Sequence, residues 1–262
     1  MGNTAEWDLK IYGRGLTISQ IVFDLVDKCD VLSLRRLWEQ MPNRAFKALL
    51  KSESFCYGPR LTPQHGKLGT LLHLACARNS FEMVEFFVQI VQVSVCILDS
   101  NGLSPIQVLF MADFRKYIQI EKCCLLMLEQ APQCHNVNVE SIMCYDLPLI
   151  NVAAQISLDN LLNYLLDVIG VDVNSNQSEY GPPIDTACSF GCFESFEILI
   201  NRGAKVVYQV NSEPMTCLHS SLACFNEKIV DYLLENFGYL KYEVNGAGYT
   251  PLQVILFSFL FK

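Results

Sequence analysis

The sequence predicts an all-α solenoid, in which short helix-turn-helix units stack on one another and share one extended core. Three observations predict it: a four-residue motif recurs at a fixed interval, an apolar helical pattern follows the motif, and turn-forming residues separate the units. The composition agrees, because 51% of the 262 residues are hydrophobic and 18% are charged, as in a chain that buries a core.

The four-residue motif, called the tetrad below, is clearest at Thr216-Cys217-Leu218-His219. Its other copies are Thr70-Leu71-Leu72-His73, Ser104-Pro105-Ile106-Gln107, Pro148-Leu149-Ile150-Asn151, Pro182-Pro183-Ile184-Asp185 and Thr250-Pro251-Leu252-Gln253. The successive intervals are therefore 34, 44, 34, 34 and 34 residues, and we number the repeats one to six after these tetrads. The second repeat carries ten extra residues, and we place Asp113 to Gln119 in an insertion or in a lengthened first helix.

Each repeat is predicted to hold two helices. Small residues lie five and six positions after the tetrad start, as Ala187 and Cys188 do in the fourth repeat. Apolar residues three and four positions apart come next, as Ile229, Val230 and Leu233 do in the fifth repeat. Because this spacing places side chains on one face of a helix, each repeat reads as a short helix, a tight turn and a second, amphipathic helix.

Turn-forming residues mark the connections. Gly191 falls at the turn between two helices, where a left-handed backbone suits glycine, and Gly203 falls where a helix cap is expected. Between repeats lie segments that suit a projecting turn or hairpin, namely Asp99-Ser100-Asn101-Gly102, Asn211-Ser212-Glu213-Pro214 and Asn245-Gly246-Ala247-Gly248.

This pattern resembles the ankyrin repeat, whose motif opens Asp-x-x-Gly-x-Thr-Pro-Leu-His-x-Ala-Ala. Asp99-x-x-Gly102-x-Ser104-Pro105 and Asn245-x-x-Gly248-Tyr249-Thr250-Pro251-Leu252 match that opening. The resemblance implies ankyrin repeats over residues 66–262, about five complete and one truncated, with the ten-residue insertion in the second. We expect residues 1–65 to be a helical region in which residues 17–40 form a degenerate capping repeat.

No residue pattern predicts catalysis, a cofactor or a metal site. The resemblance implies that His73 and His219, at the fourth tetrad position, hydrogen-bond turn backbone. The nearest metal candidates are Cys188-x-x-x-Cys192 and Cys134-His135 with Cys144, and burial explains them more simply because Cys188 takes a small-residue position of the repeat. We therefore expect a non-enzymatic protein without a cofactor.

Net charge and hydropathy argue against several classes of partner and against a membrane span. A formal net charge of −8 argues against nucleic acid or an anionic membrane, since both require a basic face. The longest apolar stretches, Phe86 to Leu98 and Leu252 to Phe261, are too short for a membrane span. The start of the sequence lacks a secretory apolar region, so we expect a cytoplasmic protein, with the nucleus as an alternative, whose twelve cysteines are reduced.

The leading functional hypothesis is a scaffold that binds another protein, with a basic or mixed polar–aromatic segment, through the concave face of the repeats. In the ankyrin family, variable residues just before the tetrad and late on the first helix meet the partner. Carried over, these are Ser100, Asn101, Leu103, Tyr145, Leu147, Gln155, Ser178, Glu179, Ser189, Phe190, Ser212, Glu213, Met215 and Tyr249.

Two alternatives remain at this stage. The first alternative hypothesis is a substrate-recruiting adaptor of a ubiquitin ligase. The second is the ankyrin portion of a larger enzyme or channel. Both require residues beyond Lys262. We also expect the sixth repeat to be incomplete and its apolar segment, Leu252 to Phe261, to favour association.

Overall fold

A computed structural model of the chain describes residues 17–41, 44–51, 55–57, 67–111, 117–130, 142–144, 147–176 and 181–260. It divides into two compact units, residues Met1–Val137 and Asn138–Lys262. Both units are built from short helices that are joined by tight turns, with small pairs of antiparallel strands. The all-α class predicted from the sequence is confirmed.

The first unit holds repeats one and two, preceded by three helices. Its elements are α1 (Ile18–Asp27), α2 (Val31–Gln40), α3 (Arg44–Leu50), β1 (Phe55–Tyr57), β2 (Lys67–Gly69), α4 (Leu71–Ala77), α5 (Phe81–Glu85), α6 (Pro105–Phe110) and α7 (Tyr117–Gln130). Strands β1 and β2 are antiparallel, with Phe55 opposite Gly69. Helix α4 contacts α1 and α6, and α5 contacts α7, so first helices pack on first helices and second on second.

The second unit holds repeats three to six. Its elements are β3 (Met143–Cys144), β4 (Leu147–Pro148), α8 (Leu149–Gln155), α9 (Asp159–Tyr164), α10 (Pro183–Phe190), α11 (Phe193–Asn201), β5 (Val207–Val210), β6 (Glu213–Thr216), α12 (Cys217–Ala223), α13 (Glu227–Asn236) and α14 (Pro251–Leu260). The first helices contact one another in the order α8, α10, α12, α14, and the second helices in the order α9, α11, α13.

The tetrad is a helix-start signal. In the second repeat, Ser104 is the residue that caps the N-terminus of α6: its hydroxyl oxygen accepts from the Gln107 N–H at 3.4 Å, and the Gln107 side chain accepts from the Ser104 N–H at 2.8 Å. Thr250 and Gln253 make the same pair of bonds at the start of α14. Such reciprocal capping satisfies backbone N–H groups that the first turn of a helix leaves without partners.

The turn between the two helices has one backbone conformation in all the repeats whose turn the structure describes. The residue nine positions after the tetrad start is left-handed, with φ of 50° at Asn79, 53° at Ser157, 76° at Gly191 and 55° at Phe225. The prediction for Gly191 is confirmed, and a second reason requires glycine there. A Cβ atom at Gly191 would lie 2.3 Å from Asn226 Nδ2 of the next repeat.

Helices α1 and α2 are joined by the same kind of turn, with Cys29 at φ 57°. The Arg78 guanidinium of the first repeat pairs with the Asp27 carboxylate at the end of α1, with Nε 2.8 Å from Oδ1. Helices α1 and α2 therefore pack as a helix-turn-helix against the first repeat. Its role as a degenerate cap stays a prediction.

The second repeat does not lengthen its first helix, so that alternative is wrong. Helix α6 ends at Phe110, whereas α7 begins at Tyr117 and runs for 14 residues. Gln119, at the end of the segment predicted to be inserted, belongs to this second helix, and residues 112–116 lie outside the described part of the chain. The extra length therefore goes at least partly to the second helix.

The second helices of repeats one and three contain one extra residue each. They end in π-helical turns, Phe86–Val91 and Leu165–Ile169, which close on the left-handed residues Gln92 (φ 58°) and Gly170 (φ 80°). Each of these closing residues lies 22 positions after its tetrad start, whereas Gly203 in the fourth repeat (φ 86°) lies 21 positions after, beyond a regular α11. A π turn accommodates a single added residue without breaking the helix.

Substitutions at these two closing positions test the free-energy cost of a left-handed backbone at a residue other than glycine. Gln92→Gly relieves a left-handed non-glycine residue, and Gly170→Ala imposes one where a Cβ atom meets no atom within 4 Å. We expect Gln92→Gly to raise the free energy of unfolding by about 1 kcal/mol and Gly170→Ala to lower it by about 1 kcal/mol. Urea midpoints measure both. Equal midpoints for both variants and the wild type would contradict the assigned conformations.

Candidate protein-binding surface

The fourth tetrad side chain reaches across to the following repeat. His73 Nε2 lies 3.1 Å from the Leu103 carbonyl oxygen, and His219 Nε2 lies 2.9 Å from that of Tyr249. A carbonyl only accepts, so Nε2 carries the proton in each ring and Nδ1 accepts from the threonine hydroxyl of the same tetrad. Both histidines therefore hold backbone together, as the resemblance implies.

In the third repeat, an asparagine at the fourth tetrad position makes the same hydrogen bond to the backbone of the next repeat. Asn151 Nδ2 donates to the Gly181 carbonyl oxygen at 3.0 Å and to Thr186 Oγ1 at 3.0 Å. Leu103, Gly181 and Tyr249 each directly precede the next tetrad. The acceptor is therefore the same backbone position in three repeats.

The loop that carries this carbonyl is also fixed from within. In the second repeat Asp99 Oδ1 accepts from the N–H groups of Asn101 and Leu103 at 2.8 Å each, and the Asp99 N–H donates to the Leu103 carbonyl at 2.8 Å. Asn245 makes the equivalent bonds in the sixth repeat, to Ala247 at 3.1 Å and Tyr249 at 3.0 Å. Loop backbone is thus held on two sides, while the side chains of Ser100, Asn101 and Tyr249 are exposed.

The predicted site residues in these two loops are accessible to different degrees. Ser100 and Asn101 are exposed, Leu103 is half-buried, and Tyr249 is 41% exposed. The Tyr249 ring packs edge-on against that of Phe257 at 5.0 Å. Leu147, which lies in β4, is half-buried.

The hairpin of strands β5 and β6 carries three more predicted site residues. It pairs Val207 with Thr216 and closes through Asn211 and Ser212, whose φ angles are 52° and 67°. Such a two-residue turn matches the twist of the strands. Ser212 and Glu213 are exposed at its tip, and Met215 is half-buried.

The same hairpin touches the loop of the sixth repeat. The Gly246 N–H donates to the Pro214 carbonyl at 2.9 Å, and a Cβ atom at Gly246 would lie 2.1 Å from Glu213 Oε2. Glycine therefore permits the close approach that places the Glu213 carboxylate over the neighbouring loop.

The end of each first helix supplies the remaining site residues. Gln155 and Ser189 lie seven positions after their tetrad starts and are half-buried, and Phe190 lies eight positions after and is 59% exposed. The Cys192 thiol donates to the Gln155 carbonyl at 3.1 Å, which ties the third repeat to the fourth. Because α8, α10, α12 and α14 contact one another in order, these positions form a row along the second unit.

Sequence reasoning missed three members of that row. Ala223 and Cys224 are exposed at the same offsets in the fifth repeat, and Phe257 is 42% exposed in the sixth. Applying the offset to every repeat, rather than to two of them, identifies all three. Tyr145, Ser178 and Glu179 lie outside the described residues.

In the fourth repeat the fourth tetrad residue is an aspartate, and its contact with the following repeat differs from those of His73, Asn151 and His219. Asp185 accepts from the hydroxyl groups of Tyr208, on the hairpin, and Ser220, on α12. Burial raises the pKa of the Asp185 carboxyl, and the bonds from Ser220 and Tyr208 partly oppose that rise. Since a carboxylate cannot donate to a carbonyl, a hairpin hydroxyl makes the link instead.

The thiols of the described core are poor nucleophiles. Burial raises the pKa of Cys123 and of Cys144 to about 12, and it raises the pKa of Cys76 and of Cys188 well above the usual range. Within residues 17–260, as far as these are described, the cysteines form no disulfide, and no cluster of three His, Cys, Asp or Glu side chains is placed to hold a metal ion. None of the described helices has the length and apolar character to cross a membrane.

Replacing the buried carboxyl tests the Asp185 contact. A raised folded-state pKa means that the contribution of Asp185 to stability is complete below pH 3.8 and is lost as the pH rises through the raised value. Asp185→Asn removes the buried charge and supplies a donor, as Asn151 does. We expect about 1 kcal/mol of added stability at pH 7, shrinking towards pH 4, in urea unfolding. Asp231→Asn, at an exposed position of α13, is the control, and a less stable Asp185→Asn protein at pH 7 would refute the expectation.

Comparison with known proteins supports the fold rather than a specific relative. No protein-family model matches the sequence, and no curated protein sequence matches it either. Among solved structures, the ankyrin repeat domain of Bcl-3, described as a unique member of the IkappaB protein family, matches with a TM-score of 0.59 and 20% identity, over 89% of this chain and 92% of that one. The human ASB11 ankyrin repeat domain matches with a TM-score of 0.60 and 16% identity, over 89% and 90%.

Proposed function

Because this chain has the all-α ankyrin-repeat fold, we propose that it is a non-catalytic scaffold that binds a partner protein through its second unit. Domains of this fold are typically interaction modules. The observation that carries the proposal is Phe190, a large aromatic side chain left 59% exposed at the end of α10. It lies at the end of a first helix, as Cys224 and Phe257 do in later repeats. We call Ser189, Phe190, Cys224, Tyr249 and Phe257 the binding row.

Aromatic side chains support this choice of surface. Tyr and Trp lead the residues that dominate binding energy, and a large aromatic ring buries much apolar area while losing few rotamers. Phe190, in the fourth repeat, and Tyr249 and Phe257, in the sixth, are each more than 40% exposed. They supply three aromatic contacts on one surface.

Rigid backbone around the row supports the proposal too. The His219 bond to Tyr249 and the contact of Gly246 with Pro214 hold the loops before a partner arrives. Binding then pays little to order the loops, so more of the contact energy appears as affinity.

Charge points to the kind of partner. Glu213 is exposed beside the loop of the sixth repeat, and the whole chain carries a formal net charge of −8. A basic or mixed polar–aromatic protein segment is the ligand that this combination suits, with its apolar side chains on the row and its Lys or Arg near Glu213. The concave shape of the surface and the cytoplasmic location stay predictions.

The first experiment removes the aromatic anchor. The immobilised 262-residue chain captures proteins from a cell extract, and quantitative mass spectrometry compares the wild type with Phe190→Ala. We expect the partner to be lost with Phe190→Ala at a cost of about 2 kcal/mol, which is roughly 30-fold in affinity. Val168→Ala is the matched control, because Val168 is 64% exposed in the same unit but lies on a second helix. Undiminished capture by a folded Phe190→Ala protein would refute the proposal.

The second experiment tests the sign of the partner's charge. Glu213→Gln removes the charge and keeps the side-chain length, so binding of a basic segment should weaken and its salt dependence should decrease. Glu235→Gln, on the exposed face of α13, is the control and should change neither. Titrations of the recovered partner at two salt concentrations measure both effects. Tighter binding by Glu213→Gln would show that the partner segment is acidic.

A further inference from the structure

Two loops of the chain contain an asparagine followed by a glycine. The pairs are Asn101-Gly102, before the tetrad of the second repeat, and Asn245-Gly246, before the tetrad of the sixth. Glycine has no side chain to shield its backbone nitrogen, so that nitrogen can approach the side chain of the preceding asparagine. The two pairs occupy different positions of the loop, because Asn245 takes the place of Asp99 whereas Asn101 lies two residues later.

The Asn101 side chain is exposed, and the backbone beside it is open. Within the described part of the chain, no hydrogen bond holds the Asn101 side chain in place. A Cβ atom at Gly102, which is also exposed, would meet no atom within 4 Å. The Gly102 N–H donates to the Asp99 carbonyl at 3.0 Å. That one bond has to open before the Gly102 nitrogen can reach the Asn101 side chain.

The Asn245 side chain is held by its own loop. Its Oδ1 accepts from the Ala247 N–H at 3.1 Å and from the Tyr249 N–H at 3.0 Å. The Gly246 N–H donates to the Pro214 carbonyl at 2.9 Å. Three hydrogen bonds therefore have to open at this pair, against one at Asn101-Gly102.

We propose that Asn101 is a site of spontaneous deamidation, a modification that requires water and no enzyme. The Gly102 nitrogen attacks Asn101 Cγ, a five-membered succinimide ring closes, and the Asn101 amide nitrogen leaves as ammonia with the proton from Gly102. Water then opens the ring at one of its two carbonyl carbons. Opening at Cγ gives aspartate, and opening at the main-chain carbonyl gives isoaspartate, in which the chain continues through the side chain.

The isoaspartate product adds one atom to the main chain inside a loop whose spacing is fixed. The Leu103 N–H donates to Asp99 Oδ1 at 2.8 Å, and the Leu103 carbonyl lies 3.1 Å from His73 Nε2 of the first repeat. A longer path between Asn101 and Leu103 moves Leu103 away from these partners. We therefore expect isoaspartate to weaken the contact between repeats one and two. This site lies in the first unit, so it is independent of the partner surface proposed for the second.

Peptide mapping by mass spectrometry tests the site on the 262-residue chain, incubated at pH 8 and 37 °C. We expect Asn101 to deamidate at least about fivefold faster than Asn245, because two more hydrogen bonds of ordinary strength must open at Asn245. The same incubation in urea is the matched control. The two rates should become similar in the unfolded chain, since both pairs have the same Asn-Gly sequence and neither loop is then formed.

A urea midpoint measures the effect on the repeats. The aged wild type should unfold at a lower urea concentration than the fresh protein. Asn101→Gln should age without a change, because its longer side chain would have to close a six-membered ring. Three results would overturn the proposal: an Asn101 that stays intact while the unfolded chain converts, equal or faster conversion of Asn245 in the folded chain, and an unchanged midpoint for a wild type that carries isoaspartate.

Discussion

The bond from the fourth tetrad side chain to the carbonyl before the next tetrad is the contact on which the repeats depend. In a repeat architecture each unit contacts only its neighbours, so each unit is held in place by the adjoining ones. His73, Asn151 and His219 each donate to that carbonyl, at 2.9 to 3.1 Å. In repeats two and six the same carbonyl accepts from its own loop as well, which fixes the spacing of successive loops and the direction in which their side chains point.

Asp185 shows how a repeat keeps its link to the next one when the fourth tetrad residue cannot donate a hydrogen bond. An aspartate at this position cannot donate, and the fourth repeat compensates with Tyr208 and Ser220, whose hydroxyls donate to the buried carboxyl. The contact is kept at the cost of a desolvated acid, whose pKa burial raises. It also ties the hairpin of strands β5 and β6 to α10 and α12, because the Tyr208 hydroxyl contacts both Asp185 and Ser220.

This arrangement separates two tasks. Backbone groups of the loops make the bonds between repeats, while side chains at the same positions meet solvent, as Ser100, Asn101 and Tyr249 do. The side chains at these positions can therefore vary without loss of the stack. Leu252 and Leu256 differ from these loop residues, because both are exposed although their counterparts in repeats three and four are core residues.

The sequence alone determined the repeat period, the start of each first helix and the residues that join repeats, because capping, helical periodicity and left-handed turns act over a few residues. Gly191 and the loops at Asp99 and Asn245 were predictable for that reason. Only the tertiary structure decided that α6 keeps its usual length while α7 is extended, that Tyr208 reaches Asp185 from 23 residues away, and that Leu252 is exposed where Leu218 is buried. Those features depend on which segment packs against which, and a local pattern carries no information about the neighbour that covers or leaves open a given face.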